Sequence, residues 1–462
     1  MLHIKTTDNN CLKRISEITK DVRKNNSDFE KIFLDSHYDE LSRIANVPLK
    51  ELTEKNKNLL VFPMDIEKSN GKIGELSVFE MYGSPENPVE LKIKTGNLMG
   101  FIGSGKTQIE ITSRFANGEK DNFLHYMLSK VFGVNLFNLN YDASGGKVFD
   151  LLIFTFPFVL KSAMTQGLFK TYKTFERNDA NVKGVVNVPY HIRQNIPFEG
   201  KIAYLERAQT FDNSLTELVR HTIEFIKTKP FGKAVLNCDS DTKSAVSQII
   251  ETTESYSLHT RQKIISRNLR RTNHPFFTKW RPLQKLCLNI LNHSKINYHI
   301  NDRSVCGLLF DGAWLWEEYM NTILSPLGFI HPESKTHAGG IRMFENPTDE
   351  YEETVRNYRR IYPDFYKSGK FILDAKYKHL EKGVCREDLY QVISYMHTMK
   401  IPDGGFIFPA SEKFYKKYLL ANKTGTIWAV GVEIPQGEME GEEFCKKMKD
   451  EEERITRKID FV

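Results

Sequence analysis

The sequence has few cysteines and no long apolar run. Its six cysteines are scattered over 462 residues without a C-x-x-C pair, so there is no zinc-ribbon spacing and a reducing compartment is indicated. We expect each cysteine to be a small buried side chain. The longest apolar segment, LLIFTFPFVL at residues 151–160, is far shorter than the roughly 20 residues of a membrane-spanning helix. Since no signal peptide is recognisable either, we predict a cytoplasmic protein that does not contact a membrane.

The chain also lacks a strong excess of charge of either sign. Its 65 Lys and Arg residues face 59 Asp and Glu residues, a formal net charge of +6. Any surface for nucleic acid must therefore be local. Gly and Pro number only 28 and 17, and hydrophobic residues make up 40%, which excludes a low-complexity chain. Composition and length predict a folded protein of two or three domains.

Hydrophobic periodicity divides the chain into four segments. Residues 1–60 are polar with helix-like spacing, which predicts an N-terminal helical extension. Residues 61–230 contain short alternating strand patterns, and residues 231–307 are mostly helical. Residues 308–462 follow the order helix, strands, helix, strands and a final charged helix. We therefore predict a mixed α/β protein with a β-containing N-terminal region, a helical middle and a C-terminal domain whose mixed sheet is flanked by helices.

Residues 100–107, GFIGSGKT, match the phosphate-binding loop pattern G-x-x-x-x-G-K-[ST]. That loop requires a helix beginning at its Lys-Thr pair, so that backbone N–H groups face the phosphate. After Thr107, however, Ile109 and Ile111 alternate with polar residues, and this period of two favours a strand. We predict a hairpin that turns at Gly-Ser-Gly-Lys, with no nucleotide bound by this chain. A P-loop nucleotidase that depends on Lys106 is the alternative.

Residues 362–376, YPDFYKSGKFILDAK, carry the most informative grouping of side chains. The tetrapeptide KSGK is a hairpin turn signal, and the turn folds Asp364 back beside Asp374. Because side chains alternate along a strand, Asp374 and Lys376 lie on one face. We predict that two carboxylates and one ammonium converge at the end of this strand.

This grouping suits the hydrolysis of phosphodiesters with Mg²⁺. Carboxylate oxygens hold Mg²⁺, which lowers the pKa of a bound water and neutralises charge in the transition state. Lys376 can orient the attacking water. Gln391 and Tyr395 lie a turn apart in the next predicted helix, and an upstream amphipathic helix offers Glu317 or Glu318 as a further acid. The alternative interpretation is a surface ion pair on a hairpin.

Residues 261–281, RQKIISRNLRRTNHPFFTKWR, form a local basic stretch with interleaved aromatic side chains and no acid. We predict that its basic side chains contact DNA phosphates, so that binding depends on salt concentration. These side chains are Arg261, Lys263, Arg267, Arg270, Arg271, Lys279 and Arg281. Contact with a protein partner, or a solvated helix followed by an aromatic packing turn, are the alternatives.

Four segments, YPDF, LDAKYK, DLYQVISYM and LWEEYM, together resemble the McrC family. Members of that family are the nuclease subunits of McrBC-type restriction systems and have a PD-(D/E)xK core. VKGVVNVPYHIRQN is similar to an upstream strand of the family, with Lys183 where Arg is usual. The resemblance covers residues 85–430 and is strongest from 309 to 400. Residues 1–60 lie outside it and are compatible with a LlaJI-like branch, whose partner reads a fixed DNA sequence.

The resemblance implies a role for each candidate residue. Asp364 and Asp374 match the family's metal-binding aspartates, and Lys376 matches its catalytic lysine. Gln391 matches the glutamine of the following helix. Glu317 fits the helix glutamate, a further metal ligand, because the family has Leu-aromatic-Glu there.

The resemblance also implies a function and partners. It implies a Mg²⁺-dependent endonuclease that cuts double-stranded DNA, together with a hexameric AAA+ motor of the McrB type that uses GTP. Residues 61–230 would bind this motor and stimulate its hydrolysis of nucleotide. The alternative is a regulatory subunit that keeps the nuclease fold without catalysis.

Overall fold

The structure is a computed structural model of the chain. It describes residues 2–19, 37–56, 58–64, 72–84, 90–116, 121–133, 152–270, 272, 274–293, 305–332, 340–343, 360–421 and 424–460. The chain folds into two compact units. One comprises Met1–Val148 with Tyr298–Val462, and the other comprises Phe149–Asn297. These units follow boundaries different from those of the four segments predicted from periodicity.

The secondary structure alternates between strands and helices throughout the described residues. The strands are β1 (Leu2–Thr7), β2 (Lys13–Arg14), β3 (Leu59–Phe62), β4 (Phe79–Tyr82), β5 (Lys92–Thr95), β6 (Leu98–Ser104), β7 (Thr107–Thr112), β8 (Thr171–Asp179), β9 (Val185–Val186), β10 (Ile202–Thr210), β11 (Val305–Asp311), β12 (Ile341–Arg342), β13 (Arg360–Ile361), β14 (Phe365–Lys367), β15 (Phe371–Ala375), β16 (Asp403–Ala410), β17 (Phe414–Leu419) and β18 (Thr426–Glu433). The α-helices are α1 (Tyr38–Ser42), α2 (Leu49–Lys55), α3 (Lys72–Glu75), α4 (Asn122–Phe132), α5 (Phe156–Met164), α6 (Val188–Gln194), α7 (Ser214–Lys227), α8 (Gly232–Leu236), α9 (Ser240–Thr252), α10 (Arg261–Arg267), α11 (Trp280–His293), α12 (Gly312–Leu324), α13 (Arg386–Met399) and α14 (Gly441–Asp460). Short 3₁₀ turns lie at Ile15–Glu17, Leu258–Thr260 and Ser325–Leu327.

The first unit contains a five-stranded sheet of order β1-β7-β6-β11-β3. Strands β6 and β7 form a hairpin, β11 runs antiparallel to β6, and β1 runs parallel to β7. Ile4, Ile102, Ile109 and Leu309 are fully or almost fully buried in the core of this sheet. Strand β11 therefore joins the start of the predicted nuclease segment to strands from the N-terminal part of the chain.

The prediction of a helical extension over residues 1–60 is wrong for its first residues. Residues 2–7 are strand β1, which pairs along the whole of β7 and buries Leu2 and Ile4. The pairing partner lies about a hundred residues away in the chain, so local helical spacing gave no sign of it. Residues 13–14 are strand β2 and residues 15–17 form a 3₁₀ turn, whereas α1 lies where helical spacing was found and α2 lies elsewhere within the predicted extension.

The second sheet of this unit is mixed, with the order β14-β15-β16-β18-β17. Its three inner strands are parallel, and each edge strand is antiparallel to its neighbour. Helix α13 covers one face, where Val392 and Met396 pack with Ile372 and Phe406. Helix α12 reaches the sheet through Trp316, whose Nε1 donates to the carbonyl oxygen of Ile407 at 3.3 Å. The predicted mixed α/β class is confirmed.

The second unit combines a three-stranded antiparallel sheet, β8-β10-β9, with a group of helices. Helix α7 begins with a capping box, in which the Asn213 side chain accepts from the N–H of Thr216 and the Thr216 hydroxyl accepts from the N–H of Asn213. Its apolar residues Leu218 and Ile223 are fully buried, as are Leu283 and Leu286 of α11. The helical middle of the chain thus has its own apolar core.

The helices and the cysteines bear on two of the sequence-based predictions. Among the described helices, none is both long enough and apolar enough to cross a bilayer. None of the six cysteines forms a disulfide, but only Cys287 is buried, and Cys11 and Cys385 are exposed. The expectation of six buried cysteines is therefore wrong. Cys385 is the N-cap residue of α13.

Asp121 is a buried carboxylate at the N-terminus of α4. Its Oδ1 accepts from the N–H of Leu124 at 2.9 Å, and its Oδ2 accepts from the N–H of Ser113 at 2.5 Å. Burial outweighs these hydrogen bonds and raises the pKa of Asp121 from 3.8 to about 7. The folded state therefore holds this proton more tightly than the unfolded chain does.

We expect Asp121 to make the protein less stable as pH rises. Because the folded state binds more protons, the free energy of unfolding falls between about pH 4 and about pH 7. Asp121→Asn keeps an N-cap oxygen and is expected to flatten this dependence in urea unfolding. Asp239→Asn is the control. Burial raises the pKa of Asp239, but hydrogen bonds and the Lys161 ammonium outweigh it and lower the pKa to about 2, so Asp239 is ionised throughout this pH range. Equal slopes in wild type and Asp121→Asn would contradict the assignment.

Candidate active site

The hairpin of β14 and β15 brings the predicted acidic residues together. Phe365 pairs with Leu373 across the hairpin, which places Asp364 next to the end of β15. The Asp364 Oδ2 accepts from the N–H of Ala375 at 2.8 Å. The Asp364 carbonyl oxygen accepts from Nδ1 of His331 at 2.5 Å. The predicted juxtaposition of Asp364 with the Asp374 segment is thus present in the structure.

Asp374 is fully buried and poorly satisfied. Its Oδ2 lies 2.7 Å from Nζ of Lys376 in an ion pair. Apart from this ammonium, neither carboxylate oxygen of Asp374 has a hydrogen-bond donor among the described residues. Burial raises the pKa of Asp374 although the Lys376 ammonium opposes the rise. A buried carboxylate in this condition favours a proton or a further cation beside it.

Asp364 and Glu317 extend the acidic character of this site. Burial and the charges of Asp374 and Glu317 raise the pKa of Asp364 well above its ordinary value. Glu317 is half-buried on α12, as is its neighbour Glu318. Among the described residues, no three His, Cys, Asp or Glu side chains stand close enough to hold a metal ion by themselves. The donor set fits Mg²⁺ nevertheless, since that ion is commonly held by one or two carboxylates, waters and substrate phosphates.

Lys376 is surrounded by oxygen atoms. Besides the contact with Asp374, its Nζ donates to Oε1 of Gln391 at 3.3 Å and lies 3.8 Å from Oδ1 of Asp388. Burial alone would lower the pKa of Lys376, but Asp374, Asp364 and Asp388 outweigh it and raise the pKa. Lys376 therefore stays charged and acts as a fixed cation and hydrogen-bond donor.

Helix α13 supplies the polar groups on the other side of Lys376. The Gln391 Nε2 donates to the hydroxyl of Tyr395 at 2.8 Å, so both residues reach the site as predicted. Sequence reasoning missed Asp388, which accepts from Sγ of Cys385 at 2.9 Å and lies 2.5 Å from Nζ of Lys378. Asp388 could have been found from its spacing, because Gln391 and Tyr395 lie three and seven positions after it and residues at these distances share a helix face.

The basic stretch is divided between exposed and packed side chains. Lys263, Arg267 and Arg270 are exposed and form no ion pair with any described acid. Arg261 is half-buried and lies close to His221 and Tyr256. Only the exposed side chains are therefore available for a polyanion without rearrangement.

The carboxyl end of the stretch is less accessible. The Lys279 Nζ donates to the hydroxyl of Thr165 at 3.2 Å, and Arg281 is half-buried. Phe277 and Trp280 are buried in aromatic packing with Phe169. Arg271 lies outside the described residues. This part of the stretch is thus built largely from structural contacts.

The segment that resembles a phosphate-binding loop is the predicted hairpin. Ser104 pairs with Thr107, and β7 rather than a helix follows. The Glu40 carboxylate accepts from the N–H of Lys106 at 3.0 Å and from the hydroxyl of Thr107 at 2.7 Å, and His37 Nδ1 also lies 2.7 Å from that hydroxyl. Two groups that a phosphate-binding loop would present to its ligand, the Lys106 N–H and the Thr107 hydroxyl, are thus engaged by side chains of this chain.

Comparison with known families places the chain among components of restriction systems. A family model described as "McrBC 5-methylcytosine restriction system component" matches residues 93–409. The chain belongs to this family, and the resemblance indicated by its motifs is confirmed. The matched residues include the Asp364–Asp374 hairpin, Lys376 and Gln391.

Two solved structures from Thermococcus gammatolerans are similar to this chain. One is described as a refined half-complex from a tetradecameric assembly of McrB AAA+ hexamers with bound McrC; it is 14% identical, has a TM-score of 0.39, and covers 97% of this chain and 99% of that chain. The other, a cryo-EM structure of the McrBC complex, is 14% identical with a TM-score of 0.32 and covers 72% of this chain and 89% of that chain. No curated protein matches the chain in sequence.

Proposed function

We propose that this chain is the DNA-cleaving subunit of a two-component McrBC-type restriction system and that it hydrolyses phosphodiesters with Mg²⁺. The observation that carries the proposal is the buried Asp374 carboxylate. Apart from the Lys376 ammonium, whose Nζ lies 2.7 Å away, it has no hydrogen-bond donor among the described residues, and it stands beside Asp364. A purely structural ion pair would be expected to satisfy its buried oxygens.

The residues that would hold the metal ion are Asp364 and Asp374, with Glu317 contributing a further charge. Each offers hard oxygen ligands, the type that Mg²⁺ prefers. When bound, Mg²⁺ supplies Lewis acidity and lowers the pKa of a bound water. Burial and the charges of Asp374 and Glu317 raise the pKa of Asp364, so a cation among the three carboxylates would relieve their mutual repulsion.

Lys376 would act on the reacting phosphate or on the attacking water. Its ammonium is held by Asp374, Gln391 and Asp388, so its position is restricted from several sides. Because its pKa is raised, it donates hydrogen bonds and does not serve as a general base at neutral pH. Positioned donors of this kind stabilise negative charge in a transition state.

Binding of the DNA backbone is assigned to the exposed part of the basic stretch. Lys263 and Arg267 lie four residues apart on α10, and Arg270 follows shortly after it. Exposed cations without acidic partners release counterions when they meet phosphates. We propose double-stranded DNA as the substrate and expect its binding to weaken as salt concentration rises.

The proposed partner is a hexameric AAA+ motor that uses GTP, and this chain would stimulate its nucleotide hydrolysis. The second unit exposes apolar side chains on and around the β8-β10-β9 sheet and α6, and exposed apolar patches are typical of protein-binding surfaces. These side chains are Tyr172, Val185, Val186, Val188, Ile192, Ile196 and Phe198. One of the T. gammatolerans structures described above is of McrB AAA+ hexamers with bound McrC, and the other is of the McrBC complex.

The decisive experiment combines the purified chain with its motor and plasmid DNA. Cleavage that requires the chain, the motor's nucleotide and Mg²⁺ supports the proposal. Stimulated nucleotide hydrolysis without any DNA cleavage would instead identify a regulatory subunit. Nucleotide binding by the isolated chain that Lys106→Ala abolishes would favour a P-loop nucleotidase.

A further inference from the structure

Tyr377, the residue after Lys376, contacts the β1-β7-β6-β11-β3 sheet. The N–H of Lys376 donates to the carbonyl oxygen of Ile407 at 2.9 Å, and beyond this point the chain leaves the second sheet. Tyr377 is only 4% exposed. Its hydroxyl lies 2.7 Å from Oγ of Ser113 and 3.2 Å from Sδ of Met99. The backbone next to Lys376 is thus held by side chains of β6 and of the residue that follows β7.

Arg114 covers the ring of Tyr377. Its guanidinium carbon lies 4.9 Å from the ring centroid. The Nε and Nη2 atoms of Arg114 donate to Oδ2 of Asp8 at 2.9 Å and 2.6 Å, and its backbone N–H donates to Oδ1 at 2.5 Å. The Asp8 side chain is 0% exposed. Two hydrogen bonds from the guanidinium and one from the backbone of Arg114 to this buried carboxylate therefore fix the guanidinium over the ring.

The same arginine reaches the start of α12, the helix that carries Glu317. Its Nη2 also donates to Oδ1 of Asn97 at 2.5 Å, and the carbonyl oxygen of Asn97 accepts from the N–H of Gly312 at 2.8 Å. A Cβ atom at Gly312 would lie 2.6 Å from Cε1 of Tyr377, so the ring packs directly against the first residue of this helix. Arg114 thus stands between the two elements that bear Lys376 and Glu317.

We propose that Arg114 is a positioning residue for the catalytic lysine and for the helix of Glu317, acting through Tyr377 and Asn97. This inference rests on the proposed nuclease function. A guanidinium is required at this position, because the group must pair with Asp8, donate a hydrogen bond to Asn97 and lie flat over an aromatic ring at the same time. Displacement of Tyr377 by a fraction of an ångström would also move Lys376. Catalysis by a fixed hydrogen-bond donor is sensitive to such a movement.

The test uses two conservative variants in the full chain with its motor. Arg114→Lys keeps a positive charge near Asp8 but loses the fork and the flat face, and Tyr377→Phe keeps the ring but loses the hydroxyl. In both variants we expect kcat for plasmid cleavage at saturating Mg²⁺ to fall about 10-fold or more. The KM for DNA and the stimulation of the motor's nucleotide hydrolysis are expected to stay unchanged, since neither residue is assigned to those tasks.

Arg43→Lys is the matched control. Arg43 is a partly buried arginine of the same compact unit whose Nη1 donates to Oγ of Ser104 at 3.5 Å, and its replacement is expected to leave kcat unchanged. Wild-type kcat in both Arg114→Lys and Tyr377→Phe would overturn the inference. So would a fall in kcat matched by an equal fall in motor stimulation, because that indicates general damage to the fold. If the wild-type chain itself cuts no DNA, the proposed function fails first and this inference falls with it.

Discussion

Asp374→Asn is expected to lower the rate of Mg²⁺-dependent plasmid cleavage by about 100-fold or more. The substitution removes a buried negative charge beside Lys376 and Asp364 and keeps the size of the side chain. The measurement is the single-turnover rate of plasmid linearisation in the presence of the motor and its nucleotide. Asp403→Asn serves as the control, because Asp403 begins the neighbouring strand β16 at the opposite end of the sheet.

We also expect Asp374→Asn to change the stability of the protein little or to raise it. Because burial penalises the charged form of Asp374, and because Asp364 and Asp388 still face the Lys376 ammonium when Asp374 is neutral, Asp374→Asn is expected to unfold at the same temperature as wild type or higher in the absence of divalent ions. Sites built for function commonly carry this kind of local destabilisation. Cleavage by Asp374→Asn at the wild-type rate would remove Asp374 from the proposed site, whatever its effect on stability.

Lys376→Met is the second variant with a large expected effect. We expect cleavage to fall about 100-fold or more, because the fixed ammonium that would face the reacting phosphate is lost. We also expect the free energy of unfolding to fall by about 3–5 kcal/mol, because Asp374 is left buried without its charged partner. Urea unfolding and single-turnover cleavage measure the two effects separately.

Two further variants test whether this destabilisation comes from the lost ion pair. Adding Asp374→Asn to Lys376→Met is expected to restore most of the stability and none of the cleavage, since the uncompensated charge is removed. Lys378→Met is the matched control. Lys378 is more exposed and pairs with Asp388 at 2.5 Å, so its loss is expected to cost little. A double variant as unstable as Lys376→Met alone would contradict the explanation.

The candidate site was predictable where the information is local. The KSGK turn and the apolar run Phe371-Ile-Leu before Asp374 are enough to fold Asp364 beside Asp374, and the structure has this arrangement. The same reasoning identified the hairpin at Gly-Ser-Gly-Lys, because isoleucines alternating with polar residues after Thr107 contradict a helix. Family resemblance added roles for these residues that spacing alone does not supply.

The features that sequence reasoning missed depend on pairing between distant parts of the chain. Strand β1 is held by its parallel alignment with β7, which no short-range pattern indicates. The Asp8–Arg114 pair joins residues 106 positions apart, and Tyr377 meets Ser113 across 264 positions. Such contacts require the tertiary arrangement of the sheets, which periodicity and turn signals do not contain.

The central claim is that Asp364 and Asp374 share a divalent ion. Anomalous diffraction from crystals of the full chain soaked in Mn²⁺ tests it most directly. We predict one peak in contact with carboxylate oxygens of both residues, and its loss in Asp374→Asn. Crystals soaked at a Mn²⁺ concentration that supports cleavage, with no ion at these carboxylates, would contradict the claim.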